Sequence, residues 1–105
     1  MTGALILYAD GSVRYNDLDL DRDDVVRALL DAPQTADLDL DDLRLRLVFD
    51  GLGLGVERPL NLAATILVYG TGRRPTHPIV GDVLVLGLTV DGDATDVPDD
   101  LLDLF

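Results

Sequence analysis

Cysteine, lysine and tryptophan are absent from this 105-residue chain, serine and histidine occur once each (Ser12 and His77), and aromatics make up only 5%. Without cysteine there is no disulfide frame, thiolate nucleophile or zinc–thiolate site. Without lysine there is no Walker-type phosphate loop. A single histidine rules out a His-rich metal site and leaves at most one imidazole for acid–base work. Ser12 sits beside a predicted turn with no histidine near it in sequence. No apolar run approaches the length of a bilayer span, and no charged n-region precedes the first apolar residues. The expectation is a soluble, cytoplasmic protein with no membrane contact.

What is present is acid and aliphatic side chains. The chain carries 20 acidic residues against 8 basic ones, a formal charge of −12, with 48% hydrophobic residues. Every acid but Glu57 is aspartate, and every base is arginine. A GC-rich coding sequence and adaptation to salt both favour this bias. Such a charge repels nucleic-acid phosphates and anionic lipid but attracts a basic protein surface. The apolar share builds a core of Leu, Val, Ile and Ala, which excludes a disordered acidic tail. At this length one domain, residues 1–105, is expected.

Three Asp-Gly pairs, at 10–11, 50–51 and 91–92, lie between apolar runs and predict tight hairpins. A two-residue loop at the first sets Tyr8 opposite Val13, Ile6 opposite Tyr15 and Leu7 opposite Arg14. At the second, Leu45, Leu47 and Phe49 alternate with Arg44 and Arg46. Leu52, Leu54 and Val56 answer on a return strand, where Arg44 reaches Glu57. Val83–Leu88 is apolar on both faces, as in a central strand, with Gly87 marking a bulge or close backbone approach; its return strand reaches Thr95. Helices are predicted over Asp21–Ala32, over Leu62–Tyr69 capped by Asn61 and closed by Gly70, and after Pro98. The middle helix is apolar almost all round and is expected to be deeply buried. The reading is a small α+β domain with a mainly antiparallel sheet and two to three helices, in the order ββα–ββα–β(β)α.

The pentapeptide DLDLD occurs at 17–21 and 37–41. A calcium loop of the EF-hand kind needs Gly at its sixth position and Glu at its twelfth. Those positions hold Arg22 and Ala28 in the first case, Asp42 and Val48 in the second, so both fail. Solvation is the simpler account: Asp17–Asp24 surrounds a helix N-terminus, and Asp37, Asp39 and Asp41 turn outward ahead of a strand with Leu38 and Leu40 inward. Mimicry of nucleic-acid phosphates by these acids is the rival. Gly51–Gly55 is not a dinucleotide fingerprint, because it continues a strand. The loop 71–78 holds Arg73, Arg74 and His77, and the paired arginines suit a carboxylate or phosphate. A solvated loop explains them as well.

Asn61-Leu62-Ala63-Ala64-Thr65, followed after a variable loop by Pro78-Ile79-Val80-Gly81-Asp82-Val83-Leu84-Val85-Leu86-Gly87, resembles the Asn-Pro-x-Ala-Thr … Ile-x-Gly-Asp-Val-x-Val-x-Gly pattern of a small domain-of-unknown-function family. That family occurs in phages, plasmids, actinobacteria and archaea. Ala4–Gly11 fits its first strand and turn, while Leu62 departs from its usual proline. The resemblance implies a mobile-element accessory protein and supplies no catalytic residue. Three readings follow. The first is a non-enzymatic acidic module, without cofactor or metal, that binds a host protein, basic or nucleic-acid-binding, and not nucleic acid itself. The second is an inhibitor that mimics nucleic acid. The third is a small-molecule binder or enzyme using the Arg73–His77 loop. Asp37, Asp39, Asp41, Arg73, Arg74 and His77 are the candidate binding residues.

Overall fold

The computed structural model describes residues 2–19, 33–40, 43–50, 60–70 and 79–103. In chain order these form β1 (Thr2–Leu7), β2 (Val13–Leu18), β3 (Pro33–Leu40), β4 (Leu43–Asp50), α1 (Leu62–Gly70), β5 (Val83–Leu88), β6 (Ala94–Thr95) and α2 (Asp99–Leu102). The strands make one antiparallel sheet in the order β2-β1-β5-β4-β3, with β6 also on β5. The small, mainly antiparallel α+β architecture is as expected. The predicted helix 21–32 lies outside the described residues.

β5 is the centre. Val83 to Leu86 are at most 2% exposed. Alternation divides them: Val83 and Val85 join Leu5, Leu7, Leu45 and Leu47 beneath the helices, and Leu84 and Leu86 join Ala4, Ile6 and Val48 on the opposite face. Both faces are therefore buried, as the two-sided apolar pattern of this strand requires. Gly87 marks a close approach: a Cβ there would run into the Asp96 carbonyl oxygen. The segment beyond β6 is fixed by the Asp96 carboxylate, which accepts from the Gly3 amide at 2.7 Å, and by Val97 N–H, which donates to the Gly3 carbonyl at 2.8 Å.

The first hairpin corrects the expected register. Tyr8 N–H donates to Ser12 O at 2.9 Å and Gly11 N–H to Tyr8 O at 3.0 Å, enclosing three residues, Ala9 to Gly11. Leu7 therefore faces Val13, Ile6 faces Arg14 and Leu5 faces Tyr15. The Asp10 carboxylate accepts from the Ser12 amide at 2.8 Å and its hydroxyl at 2.6 Å, and Gly11 takes the left-handed φ of +94°. This is a turn followed by a glycine bulge, which side-chain chemistry at positions 10 and 12 favours over the two-residue form. The β5–β6 hairpin repeats it: Thr89 brackets Val90 to Gly92 with Asp93, and Gly92 has φ +87°.

The second predicted hairpin is also corrected. β4 runs as expected, with Leu45 and Leu47 buried and Arg44 and Arg46 on the other face. Its neighbours at Leu45–Val48 are β3 on one edge and β5 on the other, so the partners of Leu45 and Leu47 are Leu38 and Ala36, then Gly87 and Val85. The expected partners Leu52, Leu54, Val56 and Glu57 lie outside the described residues. The strand over Pro33–Leu40 was not expected. Asp17, read as flanking a helix N-terminus, is a β2 residue opposite Gly3.

Candidate functional site

The acids of the second DLDLD stretch are strand residues on β3 and face arginines of β4. Asp37 lies opposite Arg46 and Asp39 opposite Arg44. Arg46 grips Asp37 through two hydrogen bonds, Nε to Oδ1 at 2.8 Å and Nη2 to Oδ2 at 3.3 Å, and also donates to the Gly92 carbonyl at 3.2 Å. Arg44 is 3.7 Å from Asp39 and donates to Val90 O at 3.5 Å. The arginines thus tie β3, β4 and the β5–β6 turn together. The hydrogen bond from Arg46, followed by its charge, holds the Asp37 carboxyl below the usual 3.8 against the opposing effect of desolvation. Asp41, Arg73, Arg74 and His77 lie outside the described residues.

That pair gives a pH test. A depressed folded-state pKa stabilises the fold fully above the unfolded value, and the contribution vanishes as pH falls through the folded one. Asp37→Asn should therefore destabilise by about 0.5 kcal/mol near neutral pH, a modest effect because both side chains meet solvent. The gap from wild type should close as the pH falls below about 4, read from urea melts across pH.

The resemblance motif converges on Asn61, which is fully buried. Its side-chain oxygen accepts from the Ala64 amide at 3.0 Å, capping α1 as expected. Its amide donates to Leu7 O and Gly81 O, both at 2.8 Å. Its backbone N–H donates to Ile79 O at 2.8 Å, and its carbonyl accepts from the Thr65 hydroxyl at 2.7 Å. Asp82, next to Gly81, accepts from Ala9 N–H at 3.0 Å in the first turn. These motif residues spend their polar groups on joining β1, α1 and β5.

α1 departs from the expected deep burial. Ala64, Leu67 and Val68 face the sheet, while Leu62, Ile66 and Tyr69 are 63%, 69% and 56% exposed. Leu60, ahead of the cap, is also exposed. Sequence reading missed this stripe because a helix without a charged side chain gives no polar face to orient it. Nearby acids act on Tyr15 of β2: desolvation, then Asp17, Asp96 and Asp99, push its hydroxyl pKa above the usual value.

No protein-family model, curated protein or solved structure matches the chain. Among the described residues no three His, Cys, Asp or Glu side chains are grouped to hold a metal ion. No helix among them is long and apolar enough to cross a membrane.

Proposed function

We propose that this chain is a non-enzymatic acidic protein-binding module, an accessory protein of phage or plasmid type from a GC-rich or halophilic host, as the family resemblance implies. The observation that carries the reading is the exposed Leu62–Ile66–Tyr69 stripe on a helix that buries Ala64, Leu67 and Val68 against the sheet. Scattered apolar residues are ordinary on a protein surface, whereas a contiguous line along one helix is a feature of interaction surfaces. Phosphate mimicry is less well supported, because a mimic must present unpaired carboxylates and Asp37 and Asp39 face arginines.

The test is capture from a lysate of the source organism at low and high salt. A protein partner held at both salt levels supports an apolar interface. Capture of a nucleic-acid enzyme that salt abolishes returns the reading to mimicry. A retained metabolite without any protein partner overturns both.

A further inference from the structure

We propose that the Leu62–Ile66–Tyr69 stripe docks a basic amphipathic helix of another protein, one with its own apolar line flanked by Lys or Arg. The inference rests on the binding-module reading and gives the partner its chemistry. Positions 62, 66 and 69 follow i, i+4, i+7 spacing, a line about 10 Å long over two turns. A convex helical ridge of this kind interdigitates with the grooves of another helix. α1 itself contains no charged residue.

Charge selects the partner's flanks. Leu101 of α2 packs in the same cluster as Leu67 and Val68, so both helices cover one face of the sheet. On that face Asp99, Asp100 and Asp103 are exposed. The described arginines are on the other face: Arg44 and Arg46 alternate with the inward Leu45 and Leu47, and Arg14 lies opposite Ile6. Among the described residues, the helix-covered face is thus apolar and acidic. A second copy would set −12 against −12, and its own acids would oppose the contact.

The probe is a synthetic helical peptide with Leu at i, i+3, i+4 and i+7 and Lys on both flanks, titrated into the full chain by calorimetry. Its counterpart with Glu replacing Lys is the control. The Lys peptide should bind and the Glu peptide should not. Ile66→Gln should weaken binding about tenfold or more, as loss of one buried aliphatic anchor does, with its melting temperature unchanged. Asp100→Asn should weaken binding mainly at low salt. Equal binding of the Lys peptide to wild type and Ile66→Gln, or equal binding of both peptides, overturns the proposal. So does a wild-type dimer in sedimentation that Ile66→Gln dissolves. A lysate partner held equally by wild type and Ile66→Gln leaves the module reading intact and sinks only the stripe.

Discussion

Asn61→Ala is expected to lower stability by about 3 kcal/mol, near the sum of a lost helix cap and two buried carbonyls deprived of a donor. Leu7 O, Gly81 O and the Ala64 amide all lose their Asn61 side-chain partner at once. In a domain of this size that corresponds to a fall in melting temperature of about 15 °C. Asn61→Asp should be worse. The carboxylate keeps the cap but cannot donate to either carbonyl, and it is charged at a position with no solvent contact. Urea melts with an unchanged slope and a shifted midpoint are the measurement. A midpoint for Asn61→Ala within about 1 kcal/mol of wild type would mean that the amide does not anchor the fold.

Val85→Asp should abolish folding. Val85 is fully buried between Leu5 and Leu47 on the neighbouring strands, beneath the helices. Among the described residues the arginines lie on the opposite face of the sheet, so the carboxylate would be buried among aliphatic side chains or protonated at high cost. Val85→Ala, which only opens a cavity, should cost about 2 kcal/mol and leave a cooperative melt. Ile66→Asp is the contrast: at 69% exposure its melt should stay close to wild type. A soluble, cooperative Val85→Asp variant, or an unfolded Ile66→Asp variant, would invert this assignment of core and surface.

The elements legible in the sequence are those whose signals are local. Asn61 starts α1 through cap chemistry and Gly70 is its last residue, while Val83–Leu88 shows its central place by being apolar at both odd and even positions. β3 was hidden because Pro33, Asp37 and Asp39 have poor strand propensity. What favours the strand is Arg44 and Arg46 across the ladder, a contact visible only once β4 is paired. The register of the first hairpin turned on Ser12, whose amide and hydroxyl bind Asp10 and lengthen the loop by one residue. The exposed stripe of α1 was hidden for a different reason. Apolarity records which residues are able to be buried, and the sheet contacts only one side of the helix.

The pairing of β1 with β5 also bears on how the chain reaches this state. Leu5 meets Val85, and Gly3 bonds to Asp96 across 93 positions. The sheet therefore cannot close at its centre until most of the chain has been synthesised. Long-range strand pairing must meet its loop-closure entropy before contacts reward it, so folding should be slow for a chain this short. Until β5 arrives, Leu5, Ile6 and Leu7 have neither their central partner strand nor a complete core around them. During synthesis β1 therefore waits for β5 with one edge unpaired, an interval in which mispairing competes with native pairing.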